Sequence, residues 1–395
     1  MNAPEKRNDY PRIGYDAKRI TNNATGLGNY ARGLVQGLAH QYPTMPLHLY
    51  SYNYGNQELY STLLSYPQLQ WHWGKGRGKC PLRAVYYRNV KVPRLLASSG
   101  VQLFHGLSNE LPYCIASAGI PSVLTMHDLI YERYPETYGW LDVQMYRYKY
   151  RRSCQLASHI VAVSEQTKKD LVDFYNVPSN KISVVYQSCN PIFQASPSDQ
   201  EKEDIRRKYG LNFRYMLNVG TVEKRKNAKL IVQALSALPD KNIHLVIVGR
   251  ATPYAQKVQA EAQALGVAPR VHWLKGVPTL HLPALYAAAE VFVYPSVFEG
   301  FGIPVLEALT VGVPVVAAKG SCLEEAGGEY SLYCNPLEAR SLACSLEAVL
   351  QNPHLRIQMK EKGKLYAQRF NPNLLAQEMM QVYQRLLSKP HCQMH

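Results

Sequence analysis

The chain has 395 residues, more than a single core usually serves, so two domains of about 200 residues each are expected. At 46% hydrophobic and 18% charged residues, with no low-complexity segment, the composition excludes a disordered or fibrous protein. The formal charge of +15 points to anionic partners, among them nucleic acid, lipid headgroups and phosphorylated small molecules.

The opening "MNAPEKRNDYPRIGYDA" has no apolar signal core, and no apolar run approaches the roughly 18 residues of a membrane span. The eight cysteines are scattered without a Cys-x-x-Cys pair, which predicts reduced thiols and a cytoplasmic protein. Short β-rich runs alternate with helical patterns, which predicts an α/β protein with parallel sheets. "RIGYDA" (Arg12 to Ala17) is the first expected strand. Gly26 and Gly28 follow in "NNATGLGNY", where glycine admits positive φ and close approach to a bound group, and the helix start adds amide donors. A Gly-x-Gly turn also serves as a tight connector, and the spacing does not choose between these readings. The next helix carries Ala31, Leu34, Val35, Leu38 and Ala39 on one face.

Further strands are expected at "LHLYSY", "VQLFH", "PSVLTMHD", "HIVAVSE" and "KISVVYQ", completing one doubly wound domain over residues 1–195. Two basic stretches interrupt it: Lys75, Arg77, Lys79, Arg83, Arg88, Lys91 and Arg94 without an acid, and "YRYKYRR" (Tyr146 to Arg152). Tyrosines beside cations fit a surface resting on an anionic bilayer, the plainer alternative being a solvated basic face. His127, at the end of "SVLTMHD", is either a group that positions a substrate oxygen or a hydrogen-bonded loop residue.

The polar stretch from Gln194 to Gly210 suits an interdomain connection. A second domain over 196–372 then has strands at "RYMLNVG", "IHLVIVG", "VHWLKG", "VFVYPS" and "VPVVAA", with helices near 227–238, 254–265, 282–289 and 304–311. Residues 373–395 form a last helix and tail, expected to pack back toward the first domain through Leu375, Met379, Val382, Tyr383 and Leu386. Two such domains leave a cleft between the carboxyl ends of their strands. In "VGTVEKRKN", Arg225 and Lys226 stand on a loop at that edge, where adjacent cations suit a diphosphate.

"EGFGIPVLE" holds anion-seeking amides before Pro304 between two carboxylates, Glu299 and Glu307. Glu307 is expected in the first helical turn, where its plain role would be to offset the helix dipole. Glu299 is expected in a loop with little to hold it by packing. Carboxylates beside a phosphate site are tolerable when aimed at hydroxyls, so a nucleotide sugar fits the stretch: phosphates between a sugar and a ribose.

From "RIGYDA" to the last helix, the chain resembles the retaining glycosyltransferases of family 4, whose fold is called GT-B: two Rossmann-like doubly wound domains facing across a cleft. The motifs stand in the family's order: "TGLGNY", "LFHGLSNELP", "LTMHDLIYERYP", "VAVSEQTKKDL", "NVGTVEKRKN", "VFVYPSVFEGFGIPVLEALTVGVPVVAA" and "SCLEEAGG". The resemblance implies an acceptor-binding first domain and a nucleotide-sugar-binding second one, with Gly26 and Gly28 bordering the donor diphosphate and the acceptor side of the cleft and Arg225 and Lys226 binding the diphosphate. It further implies that Glu299 holds hydroxyls of the transferred sugar, with the amides of Gly300, Phe301 and Gly302 turned toward sugar and phosphate. Glu307 would hold the ribose, Val277 would lie near the nucleobase and His127 beside the reacting sugar. Thr221 stands where most members carry arginine, and Arg225 beside Lys226 matches a "GT-x-E-x-RKN" branch rich in mannosyltransferases.

The resemblance also implies hexosyl transfer, with mannose from GDP-mannose favoured, to a glycan or lipid-linked acceptor in polysaccharide assembly at the inner face of the cytoplasmic membrane. The leaving diphosphate would take the acceptor's proton, so charge stabilisation matters more than a side-chain base, and no metal or cofactor is expected. Two alternatives are a sugar-nucleotide epimerase or hydrolase on the same fold, and a non-catalytic module binding nucleic acid or membrane. The module reading leaves "EGFGIPVLE" and the Arg225-Lys226 pair without a purpose, and nucleic acid is not expected as a partner.

Overall fold

The computed structural model describes residues 10–74 and 80–388. The chain divides into two units, one running to Ser188 and resuming at Pro372, the other spanning Cys189–Asn371. The division therefore precedes the polar stretch expected to connect the domains. Most of that stretch is the helix Asp199–Lys208, started by a capping box in which Ser198 Oγ accepts from the Glu201 amide and the Glu201 carboxylate accepts from the Ser198 amide. The serine-to-glutamate spacing stops the chain and starts a helix in the same place, which polarity alone does not reveal.

The first unit holds β1 (Ile13–Asp16), β2 (Leu47–Ser51), β3 (Leu69–Trp73), β4 (Leu103–Gly106), β5 (Ser122–Met126), β6 (His159–Ala162) and β7 (Ile182–Val184). They form one parallel sheet in the order β3-β2-β1-β4-β5-β6-β7. The helix Gly26–Gln41 buries the stripe its spacing predicts. The last helix, Pro372–Leu387, lies in the same core with Leu375, Met379, Val382, Tyr383 and Leu386. Gly37 makes their close approach possible, since a Cβ there would stand 3.3 Å from the Pro372 carbonyl oxygen.

The second unit holds β8 (Arg214–Val219), β9 (Ile243–Val248), β10 (Val271–Leu274), β11 (Val291–Tyr294), β12 (Val315–Ala318) and β13 (Leu332–Cys334). The parallel order is β10-β9-β8-β11-β12-β13. Each sheet reverses its strand order once, between β1 and β4 and between β8 and β11. Open α/β sheets bind ligands beyond the carboxyl ends of their strands at such a point.

Candidate active site

In the second unit, the β8 and β11 exits are stitched together before any ligand is considered. The Lys224–Lys226 turn ends at Asn227, whose φ of 60° and side-chain bonds to the Pro295 and Pro336 carbonyls tie the loop to the end of β11. The Val297 amide donates back to the Arg225 carbonyl at 2.9 Å. Glu299 is thereby carried under the two cations.

It is not the loosely held loop residue expected from sequence. Glu299 is 8% exposed, and its Oε1 accepts from Lys226 Nζ at 2.5 Å, Ser296 Oγ at 2.6 Å and Tyr294 OH at 3.2 Å. Its Oε2 stands 2.9 Å from Arg225 Nη1. Burial pushes this carboxyl upward, but the charges of Lys226 and Arg225 and the hydrogen bonds from Lys226 and Ser296 outweigh it and hold it at about 2. Arg225 and Lys226 are likewise not two free cations awaiting phosphate. Arg225 also donates to Glu223 at 2.6 Å and to the Phe298 carbonyl, and Lys226 to Tyr294 OH at 2.6 Å. Two cations and the carboxylates of Glu223 and Glu299 sum to zero, so an incoming anion must exchange partners with Glu299.

Gly302 caps the helix Ile303–Val311 with φ 121°, a backbone conformation that requires glycine, and a Cβ there would also crowd Leu323 Cδ2 at 2.8 Å. Phe301 beside it is buried against Phe370, with ring centroids 5.4 Å apart, so its side chain anchors the loop. Glu307 is the fifth residue of that helix, beyond the first turn, which has no acid, so dipole compensation does not explain it. It is half-buried and accepts a hydrogen bond from Tyr286 OH at 2.9 Å. Burial raises it to about 7, with the Tyr286 hydrogen bond pulling the other way. Val277 follows Gly276 (φ 65°) on the loop after β10, half-buried at the edge of the same sheet.

In the first unit, His127 follows β5 and is 4% exposed. Its Nε2 meets the Leu107 carbonyl oxygen at 2.9 Å and must carry the proton, while Nδ1 accepts from Gln187 Nε2 at a long 3.4 Å. Burial lowers it to about 4, partly offset by the Leu107 hydrogen bond, so the ring is neutral at pH 7. Tyr30 packs edge-on against it at 4.7 Å. A buried relay then runs from Tyr30 OH to Thr125 Oγ1 (3.1 Å), His105 Nε2 (2.8 Å) and, from His105 Nδ1, to Tyr383 OH (2.7 Å) on the last helix. No sequence signal marked these residues as a relay, because their partners lie far along the chain.

Gly26 and Gly28 are the first and third residues of the helix Gly26–Gln41, and neither has positive φ. Gly28 is required by contact, since a Cβ would fall 1.9 Å from the Asn23 carbonyl oxygen, whereas Gly26 meets nothing within 4 Å. Of the basic stretches, Lys75, Arg77 and Lys79 lie outside the described residues. Arg88 is drawn into ion pairs with Asp16 and Glu110, and Arg147 into one with Glu132, so neither is a free surface cation. Among the described residues no helix is long and apolar enough to cross a membrane, and no group of three or more His, Cys, Asp or Glu could hold a metal ion.

Two parallel doubly wound units, each with a switch point, are the architecture called GT-B. The same fold is found in a glycosyltransferase from Rickettsia africae, with a TM-score of 0.77 and 17% identity, covering 97% of this chain and 100% of that one. The family model described as Glycosyltransferase Family 4 matches residues 24–191, and that described as Glycosyl transferases group 1 matches residues 201–366. The O-antigen chain mannosyltransferase B of Escherichia coli is 30% identical over 275 residues, 68% of this chain and 70% of that protein. The O-antigen chain mannosyltransferase RfbU of Salmonella typhimurium is 30% identical over 249 residues, 62% of this chain and 66% of that protein. The chain belongs to glycosyltransferase family 4.

Proposed function

We propose that the protein transfers a hexosyl residue, mannose by first choice, from a nucleoside-diphosphate sugar to a glycan or lipid-linked saccharide in polysaccharide assembly, with retention at the anomeric carbon. The observation that carries this reading is the Glu299 cluster, a carboxylate kept ionised by two cations beside the Gly302 helix start. The choice of mannose is supported by the two O-antigen mannosyltransferases.

In this reading the donor diphosphate takes over hydrogen bonds of Arg225 and Lys226, and Glu299, relieved of them, accepts those of sugar hydroxyls. The amides of Gly300, Phe301 and Gly302 face sugar and phosphate, Glu307 takes a ribose hydroxyl, and Val277 adjoins the base. Gly26 and Gly28 border the diphosphate, and the His127 Nδ1 lone pair exchanges its long bond from Gln187 for one from a sugar hydroxyl. The anomeric carbon–oxygen bond to the diphosphate breaks while the acceptor oxygen attacks from the same face, and the acceptor's proton passes to the leaving phosphate oxygen. The two cations meet the charge that develops there, so the transfer runs without a metal or cofactor.

The reaction is placed on the cytoplasmic side, with the acceptor at the inner membrane face. Binding to anionic vesicles at low salt, lost at high salt, is expected; no binding at low salt removes the membrane contact. Calorimetric titration with a panel of nucleotide sugars is the direct test: one donor should bind, and Glu299→Ala should lower turnover by about 100-fold or more. Absence of binding by every donor overturns the reading. Nucleoside diphosphate release that ignores an added acceptor would make the protein a hydrolase, and activity lost in a chelator would remove the metal-free route.

A further inference from the structure

A cavity of about 550 Å³ lies wholly within the first unit, at its switch point, a volume in the range that encloses small ligands. Asp16, at the end of β1, and Glu110, beyond β4, both line it and are joined through Arg88. Arg88 Nε meets Asp16 Oδ2 at 2.5 Å, Nη1 meets Glu110 Oε2 at 3.0 Å, and Nη2 donates to the Glu110 carbonyl at 3.1 Å. One guanidinium between two carboxylates leaves a single negative charge. Lys18 and Lys149 line the same cavity and add two positive charges, and among the described residues neither ammonium has an ion-pair partner. The lining is therefore +1, while Lys18 also feels the charges of Arg88, Asp16 and Glu110.

Tyr52 and Tyr113 are partly exposed in the same lining, with the buried Tyr50 and Tyr87 behind them. Aromatic faces beside hydrogen-bonding groups suit sugar rings, which present apolar C–H faces and polar edges. The cavity also adjoins His127 through one short loop. Leu107 accepts from the His127 ring at 2.9 Å, Asn109 Oδ1 accepts from the His127 amide at 2.7 Å, and the next residue, Glu110, lines the cavity.

We propose that this cavity receives the acceptor and that the acceptor is an anionic saccharide, its ring against the tyrosines and its phosphate or carboxylate on Lys18 and Lys149. The proposal rests on the transferase reading above, in which the first domain takes the acceptor, and adds to it the acceptor's class and the cavity it enters.

The test titrates the full chain, with and without a saturating nucleoside diphosphate, against mannose 1-phosphate, glucuronate, methyl mannoside and inorganic phosphate. At least one of the two anionic sugars should bind about tenfold or more tightly than methyl mannoside, the size of one charge-assisted contact. The double variant Lys18→Ala/Lys149→Ala should lose that margin, and Ala84→Phe, which fills the cavity from the helix Pro81–Tyr86, should abolish binding. Both variants should bind nucleoside diphosphate as the parent does. Equal binding of methyl mannoside, an unchanged double variant, or displacement by nucleoside diphosphate overturns the proposal, and inorganic phosphate bound as tightly as the sugars overturns its saccharide part. The double variant decides the matter even where Ala84→Phe does not fold, because it deletes side chains and adds none. If no nucleoside diphosphate binds, the donor reading fails by itself, and the titrations without it still test the cavity.

Discussion

Glu299, in a loop, and Glu307, eight residues on in a helix, both act on Tyr294, whose hydroxyl is raised by burial first and then by Glu299, with a smaller push from Glu307. Yet one carboxyl sits at about 2 and the other at about 7. Burial opposes the charged form at both positions, so the contrast comes from partners. Glu299 has four donors, two of them cations; Glu307 is answered by a tyrosine hydroxyl. One carboxylate is always charged, and the other titrates near neutrality.

Glu299→Ala should break the comparison outright. Arg225 and Lys226 would face each other without their shared anion, and stability should fall by about 3 kcal/mol in denaturant titration, along with the loss of turnover. A stability unchanged within error would mean that the cluster is not what holds the β8 and β11 exits.

Glu307→Gln should sharpen it. A carboxyl raised in the folded state contributes stability that is fully present below its unfolded value near 4.5 and is lost as pH rises through about 7. The variant should be roughly 1–2 kcal/mol more stable than the parent at pH 8 and equal to it at pH 4, the full shift being reduced because the side chain keeps some solvent contact. Equal stability at both pH values would place Glu307 in water.

His48 supplies the opposite sign in an overlapping window. Its Nδ1 stands 3.0 Å from His72 Nε2, and burial, with the His72 and Arg12 charges, lowers it to about 4. That contribution is fully present above the unfolded value near 6.5 and is lost as pH falls through 4. His48→Gln should therefore flatten the acid limb of the stability curve by about 1–2 kcal/mol between pH 6.5 and 4. Two groups with opposite slopes partly cancel in the parent, so only the separate variants resolve them.

Tyr383→Phe removes the hydroxyl that bonds His105 at 2.7 Å and Tyr15 at 3.3 Å, and should cost about 1 kcal/mol by thermal unfolding. The smallest change is expected from Gly26→Ala, between neutral and about 0.5 kcal/mol more stable, because the added methyl meets nothing and the helix loses a glycine. A marked loss of stability there would restore a conformational need that the backbone angles do not show.

Most strands, and helices such as Gly26–Gln41, Ala228–Ala237 and Pro372–Leu387, were legible because the cause is local, whereas the helices Trp140–Leu156, Glu165–Tyr175, Ala339–Gln351 and Pro353–Ala367 were not read. Apolar runs such as "IHLVIV" and stripes such as Ala31 to Ala39 depend on residues a few positions apart. β3 and β13, both at sheet edges, escaped because "LQWHW" and "LYC" hold no aliphatic run. The motifs named Arg225, Lys226, Glu299 and Glu307 as residues of interest, and the structure does bring the first three together.

The sequence by itself determined the α/β class, the doubly wound series and the family, since each rests on periodicity and ordered motifs. Only the tertiary structure decided the state of the charged groups. Lys226 reaches Glu299 across 73 positions because β8 and β11 are neighbours, and Arg88 reaches Asp16 across 72. Electrostatic energy depends on separation in space and on burial, and neither is a property of the linear chain.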